Sequence, residues 1–275
     1  MTDCKLGIIG GGVMGEALLS RLLAREVYQP DRVWVVEPQP ERARYLEREY
    51  GVRSLSDATE TICAAEVLLL AVKPQVFDAI APGLGHAAAA REQQPQPKPL
   101  AISIMAGVPL SKLEGVFPEW AIVRAMPNTP ATVGAGITAM ASGQFVEPEN
   151  LDRAQLILEA VGEVVEVSES QMDAVTGLSG SGPGYVAIFI EALIDGGVAV
   201  GLPRAIATQL AIQTVRGTAQ LLEESGIHPA ELKDRVTSPG GTTIAGIACL
   251  ERSGLRSASI EAVRAACARA KELGA

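Results

Sequence analysis

From Lys5 to Val167 short apolar runs alternate with segments of amphipathic spacing. Lys5 to Gly10, Val33 to Glu37, Val67 to Val72, Leu100 to Ala106 and Ala121 to Ala125 read as strands, with Val13 to Arg25 and Pro40 to Tyr50 as helices between them. Strands joined by helix-length crossovers predict a parallel, doubly wound sheet, because parallel neighbours cannot be linked by a tight turn. Val67-Leu-Leu-Leu-Ala-Val72 is apolar at every position, as a central strand covered on both faces must be. Gly136 to Ala141 and Glu163 to Val167 flank a helical stretch and extend the sheet at one edge. Between Ala87 and Pro99 Ala, Gln and Pro take over. The run Gln93-Gln-Pro-Gln-Pro-Lys-Pro99 cannot continue a helix and has little to bury, which predicts an exposed loop inside the first domain.

After Val167 the strand pattern stops. Tyr185 to Val200, Pro203 to Ser225, His228 to Val236, Thr243 to Ser253 and Ser257 to Leu273 read as helices, punctuated by Gly201, Gly226 and Gly254. Several carry Ala, Gly, Ile and Leu on more than one face, so part of this surface is expected to close on a second copy of the chain. The predicted organisation is an α/β domain over residues 1–167 with a mainly parallel sheet, and an all-α dimerisation domain over 168–275. Further assembly of such dimers into rings is the larger arrangement expected.

Composition narrows the function. The chain has 275 residues, 48% hydrophobic and 20% charged, enough apolar material for two cores. Its net charge of -9 would be repelled by phosphate backbones, which argues against a nucleic-acid partner. Cys4, Cys63, Cys249 and Cys267 are scattered, with no CxxC pair and no His at ligand spacing, so reduced, buried thiols are expected and no metal site. Gly, Lys or Pro breaks every apolar run before the roughly 18 residues of a membrane span. The first apolar run lacks a basic leader and contains a Gly triplet, unlike a signal peptide. A cytoplasmic protein without a membrane partner is the expectation.

The Gly triplet belongs to Gly10-Gly11-Gly12-Val13-Met14-Gly15, a G-x-G-x-x-G turn that leaves a strand and opens a helix. Glycine is required there for a tight turn, for close backbone approach to a pyrophosphate, and for helix–strand packing, while the helix N-terminus offers N–H groups to the anion. Glu37 ends the second strand, where a carboxylate can accept from both ribose hydroxyls and repels a 2′-phosphate. The strand–turn–helix setting predicts a dinucleotide site of the Rossmann type, the alternative being a Gly-rich turn that binds nothing. An ordinary solvated charge is the alternative for Glu37, and Arg42 and Arg44 lie close enough in sequence to help a phosphate. Ala71-Val72-Lys73-Pro74 ends the fourth strand at the ligand side of such a sheet, although Lys73 also reads as a plain surface lysine.

Two Gly/Ser/Thr-rich segments interrupt the helical half, Leu178-Ser-Gly-Ser-Gly-Pro-Gly-Tyr185 and Val236-Thr-Ser-Pro-Gly-Gly-Thr-Thr243. Each precedes a helix, so its N–H groups can face a carboxylate, cap the helix, or do both.

Leu232 to Glu251 resembles the signature segment of the pyrroline-5-carboxylate reductases. Gly10 to Gly15, Ala71 to Pro74, Ile102-Ser-Ile104, Arg124-Ala-Met-Pro-Asn-Thr-Pro130, Ser179-Gly-Ser-Gly-Pro183 and that segment follow the family's order over nearly the whole chain. The resemblance implies a Rossmann domain followed by a helical domain that intertwines with that of a second subunit. It also implies NADPH- or NADH-dependent reduction of 1-pyrroline-5-carboxylate to L-proline, the last step of proline biosynthesis. On this likeness the substrate is held by Ser238, Gly240, Gly241, Thr242 and Thr243, with Thr243 at the ring nitrogen as the catalytic residue. Gly10, Gly11, Gly12, Val13, Met14, Gly15, Glu37, Ala71, Val72, Lys73, Pro74, Ser103, Ile104, Met105 and Asn128 face the cofactor. Ala58, Met105 and Arg235 depart from the family's usual Asn, Ala, and Asn or Gln, which bears on cofactor preference and leaves the reaction class alone.

The residue inventory agrees with this chemistry. His86 and His228 lie outside every motif, so a His-assisted carbonyl reduction has little support. The helical half holds only Lys233 and Lys271, and no Lys follows the Ser-Gly-Ser-Gly-Pro turn, where 3-hydroxyacid dehydrogenases carry a catalytic one. A protonated cyclic imine already bears its positive charge and needs no strong enzymatic acid. The competing readings are another reductase of the same architecture, 3-hydroxyacid or F420-linked, and a non-catalytic dinucleotide-sensing protein.

Overall fold

A computed structural model describes residues 4–93 and 97–274. These residues form one eight-stranded sheet in the order β3-β2-β1-β4-β5-β6-β7-β8. The strands are β1 (Leu6–Ile9), β2 (Val33–Val36), β3 (Arg53–Leu55), β4 (Val67–Leu70), β5 (Leu100–Ser103), β6 (Ala121–Met126), β7 (Gly136–Ser142) and β8 (Gly162–Glu166). Neighbours pair parallel except β6 with β7, and β8 returns parallel to β7. The helices of this part are α1 (Val13–Ala24), α2 (Pro40–Tyr50), α3 (Thr59–Ala64), α4 (Pro74–Glu92), α5 (Leu110–Val116), α6 (Pro148–Leu158) and α7 (Met172–Val175).

Every residue of β1, β2, β4 and β5 is buried, and alternate side chains enter two cores. Val67 and Leu69 join Leu18, Leu22, Ile157 and Leu158 from α1 and α6. Leu68 and Leu70 join Ile62, Phe77, Leu84 and Leu113 from α3, α4 and α5. The continuous apolar character of β4 is thus the signature of a sheet with helices on both faces.

The loop expected from Ala87 is displaced. Helix α4 runs on to Glu92, with Ala87, Ala88 and Arg91 buried. Arg91 holds the segment by donating to the Ile62 carbonyl at 3.1 Å, the Cys63 carbonyl at 2.5 Å and the Pro97 carbonyl at 3.1 Å. Alanines of low polarity therefore extend a helix here; of the rest of the expected loop, Gln93 and residues 97–99 lie outside helix and strand, and residues 94–96 lie outside the described residues. Nor are all the thiols buried: Cys4 is, but Cys249 is exposed.

The helical half comprises α8 (Gly182–Ala199), α9 (Arg204–Ser225), α10 (Pro229–Arg235), α11 (Thr242–Arg252) and α12 (Leu255–Gly274). The chain divides into two compact units, Met1–Gly180 with Ala266–Ala275, and Ser181–Ala265. The division falls later than residue 167 because α7 still belongs to the sheet unit: Met172 is fully buried in its second core. The end of α12 returns to the same unit, where Leu273 and Gly274 pack on Gly107. In the unit Ser181–Ala265 only Ala207 and Ala211 are buried, while Ile188, Leu210, Ile212 and Ile260 stand about half exposed or more.

The Gly/Ser segment from Leu178 is not a loop. Thr176–Gly180 forms a π turn that leads through Ser181 into α8. A helical run Glu169–Ala199 results, and by length and composition it is long and apolar enough to cross a membrane. The expectation that no run reaches that length treats Gly and Pro as breaks; here the π turn and a Pro in the first turn of α8 accommodate them.

Candidate active site

The Gly10–Gly15 turn joins β1 to α1 at the carboxyl ends of the parallel strands, where strand order reverses between β2-β1 and β4-β5. Its glycines serve different ends. Gly10 adopts φ of 107°, and a Cβ there would lie 2.8 Å from the Ala71 carbonyl oxygen. A Cβ on Gly15 would lie 2.3 Å from the Gly10 carbonyl oxygen, so the helix can approach the strand only without one. Around Gly12 a Cβ would meet nothing within 4 Å, and Val13 is 73% exposed. The open space lies over the first turn of α1, where unpaired helix N–H groups would meet a pyrophosphate.

Glu37 follows β2 and turns toward this loop. Its Oε2 accepts from the Gly11 N–H at 3.1 Å and its Oε1 from the Gln39 N–H at 3.0 Å. Arg42, on α2, donates from Nε to the Gly11 carbonyl at 2.7 Å and from its terminal nitrogen to Glu16. Arg44 Nε donates to the Pro40 carbonyl at 3.2 Å.

A cavity of about 350 Å³ opens beside Gly10, walled by Val36, Pro38, Val72 and Ile80 and by Ser56, Asp57 and Thr59. Asp57 Oδ1 accepts from the Thr59 N–H at 2.9 Å. Hydrogen bonds from the Thr59 hydroxyl and N–H hold the Asp57 carboxyl below its ordinary value. This wall was not foreseen from sequence beyond Ala58. Its signal is the Ser-Asp-x-Thr spacing ahead of α3, which reads as a helix start and nothing more. The cavity's apolar sides and polar rim fit a purine and its ribose.

The remaining predicted cofactor residues sit at the ends of adjacent strands. Ala71 and Val72 leave β4, with the Ala71 N–H on the Ile9 carbonyl at 2.8 Å. Lys73 is exposed and precedes Pro74 at the start of α4. Ser103 is fully buried at the end of β5, and Ile104 follows it, its N–H on the Leu70 carbonyl at 3.0 Å. The Met105 side chain is buried in the second core, so only its backbone is placed to serve a ligand. Asn128 uses its side-chain carbonyl to accept from the Ile137 N–H at 3.0 Å, fastening β7 to the segment after β6.

In the helical unit, Thr237 to Thr243 leads into α11. Gly240 takes φ of 67°, the Gly241 N–H bonds the Ser238 carbonyl at 3.0 Å, and a Cβ on Gly241 would lie 2.3 Å from Ser238 Oγ. Gly241 is the N-cap and no side chain caps the helix, so the N–H groups of its first turn are available to an anion. Ser238, Gly240 and Thr242 are exposed and Thr243 is half-buried. The capping alternative therefore fails here. His228 instead caps α10, its Nδ1 accepting from the Ala230 N–H at 3.2 Å, and His86 is exposed on α4. Among the described residues no group of three or more His, Cys, Asp or Glu side chains could hold a metal ion.

Known proteins resemble the chain over its whole length. Residues 169–273 match the family model for pyrroline-5-carboxylate reductase dimerisation, and residues 5–107 that for NADP oxidoreductase, coenzyme F420-dependent. The chain is 58% identical over 270 residues to the pyrroline-5-carboxylate reductase of Synechocystis sp., covering 98% of each chain. It is 42% identical to that of Methanosarcina acetivorans, covering 100% of this chain and 99% of the relative. Among solved structures, the Coxiella burnetii pyrroline-5-carboxylate reductase superposes with a TM-score of 0.89 at 35% identity, covering 100% of both chains. The Plasmodium falciparum pyrroline carboxylate reductase with NADP bound gives 0.87 at 31%, again covering 100% of both. A dinucleotide-type turn at a sheet switch point, an open helix start at Thr242 and full-length likeness to these enzymes agree: the chain belongs to the pyrroline-5-carboxylate reductase family.

Proposed function

We propose that this protein reduces 1-pyrroline-5-carboxylate to L-proline, the last step of proline biosynthesis, and uses NADH at least as well as NADPH. The observation that carries the reading is the uncapped start of α11, where Thr242 and Thr243 offer N–H groups and hydroxyls without a competing side chain. The substrate carboxylate is the natural guest of such a helix end. Ser238, Gly240, Gly241 and Thr242 bind and orient it, and the Thr243 hydroxyl holds the ring nitrogen.

The residues fit a nicotinamide dinucleotide, since Gly12 faces open space and the cavity beside Gly10 suits the adenosine end. Gly10, Gly11, Gly12, Val13, Met14 and Gly15 would hold the pyrophosphate, Glu37 the ribose, and the Ala71–Pro74 and Ser103–Met105 ends, with Asn128, the remainder. When bound, the reduced cofactor supplies a hydride. The protonated imine accepts it at carbon, and its C=N π electrons become the nitrogen lone pair, so no proton need be delivered during the step. The protein's task is orientation and exclusion of water. The Thr243 hydroxyl can donate to the nitrogen once it has a lone pair and accept from its N–H before that.

The cofactor preference rests on Glu37, whose carboxylate is fixed from both oxygens beside the turn and would repel a 2′-phosphate. The helical unit, with two buried residues, supports a homodimer built beyond residue 168; a decamer of five dimers as the larger assembly is what the family likeness implies. A cytoplasmic location accords with these relatives. The test is NADH and NADPH oxidation with 1-pyrroline-5-carboxylate beside a panel of keto acids, with light scattering on the same sample. Turnover of keto acids alone would overturn the reading, and an active monomer at micromolar concentration would overturn the dimer.

A further inference from the structure

Glu16 anchors a polar network beside the glycine turn. Glu16, the residue after Gly15, accepts from the Tyr50 hydroxyl at 2.7 Å, from the Tyr45 hydroxyl at 3.1 Å and from the Arg42 guanidinium. The Arg42 and Glu16 side chains are 27% and 22% exposed, so water screens the pair only in part. Arg42 also lies 5.0 Å over the Tyr45 ring and gives its Nε to the Gly11 carbonyl. Burial pushes the Glu16 carboxyl up, but the hydrogen bonds from Arg42, Tyr50 and Tyr45 outweigh it, and the group stays ionised below its ordinary 4.5.

Two charged side chains thus hold the two backbone polar groups of Gly11, Glu37 on the N–H and Arg42 on the carbonyl. An arginine so close to the ribose carboxylate has the fork geometry that a 2′-phosphate wants. Two of its three nitrogens are held instead, Nε on the Gly11 carbonyl and one terminal nitrogen on Glu16. The other nearby arginine, Arg44, bonds the Pro40 carbonyl of its own helix.

We propose that Glu16 is a positioning residue for cofactor choice: by holding Arg42 against the Gly11 carbonyl, it withholds that guanidinium from the 2′ position of the adenosine ribose. Glu37 repels the phosphate, and Glu16 removes the cation that would offset the repulsion. The assignment rests on the reading that the Gly10–Gly15 turn binds a nicotinamide dinucleotide with its adenosine ribose at Glu37.

The experiment measures Kd for NADPH and NADH by nucleotide fluorescence, and KM and kcat for each, in wild type, Glu16→Gln, Arg42→Ala and the double variant. Freeing one guanidinium for a charge-assisted bond should tighten NADPH roughly fivefold to tenfold in Glu16→Gln. NADH affinity and kcat should stay within about threefold, since no new charge pair is offered to a free hydroxyl. The gain should vanish in the double variant, and Arg42→Ala alone should change both affinities by the same factor. Parallel changes for both nucleotides in Glu16→Gln, or a gain that survives loss of Arg42, would overturn the proposal. So would a selective loss of NADPH in Arg42→Ala, which decides the matter even if Glu16→Gln does not fold. A wild type that binds neither nucleotide overturns the dinucleotide reading itself and the role of Glu16 with it.

Discussion

Gly15 stands so close to Gly10 that a Cβ on it would lie 2.3 Å from the Gly10 carbonyl oxygen. That carbonyl is backbone, so it cannot swing away as a side chain would, and Gly15→Ala must push α1 off β1 or distort the turn. Nucleotide Kd should rise at least about tenfold, because the pyrophosphate contacts depend on helix and turn together. Fluorescence titration of NADH reads the loss, with circular dichroism confirming the fold. Unchanged affinity would mean that the turn does not bind the nucleotide.

Replacing Glu37 by Ser removes the carboxylate held by the Gly11 and Gln39 N–H groups. The ratio of kcat/KM for NADPH over NADH should rise by roughly 1 kcal/mol or more, the scale of one charge-assisted bond lost plus a repulsion relieved. A strong wild-type preference for NADPH that the variant leaves alone would show that Glu37 does not meet the ribose.

Thr243→Ala should leave the melting temperature nearly unchanged, since Thr243 is half-buried and does not cap α11. Activity should fall by about 1–3 kcal/mol in transition-state terms, the usual cost of deleting one hydrogen bond at a polar centre. A well-folded variant with full kcat/KM would end the assignment of its hydroxyl to the ring nitrogen.

Glu66 ties the starts of β1 and β4 to α6, bridging Lys5 and, at 2.9 Å, Arg153. Burial raises its carboxyl, but the bonds from Lys5 and Arg153 prevail and its pKa falls below 4.5. A carboxyl depressed in the fold adds stability above its unfolded value, and that contribution is lost as pH falls through the folded value. Glu66→Gln should therefore be less stable than wild type at pH 7, and the gap should narrow as pH drops below about 4.5. Urea midpoints at the two ends of that range check it; a gap independent of pH would assign the loss to packing.

Much of this molecule was legible from local pattern. A short apolar run with no polar position, set between helix-length segments, reads as a strand covered twice, so β4 and its neighbours announced a sheet with helices on both faces. G-x-G-x-x-G after a strand needs only a few consecutive residues to act, and the turn formed where it was expected. The Thr-Ser-Pro-Gly-Gly-Thr-Thr segment likewise carries its own turn and helix start.

What the tertiary structure alone decided depends on partners far away in the chain. Helix α4 reaches Glu92 because Arg91 finds carbonyls at Ile62, Cys63 and Pro97, which no window around the alanines contains. Ser56, Asp57 and Thr59 wall a cavity only because β3 pairs at the edge beyond β2. Arg42 looked free to meet a phosphate until α2 folded back on α1 and placed Glu16, Tyr45 and Tyr50 around it. Sequence spacing determines which groups can share a turn or a helix face, since those distances follow from backbone geometry. Which charge neutralises which across elements is set by the packing that brings them together.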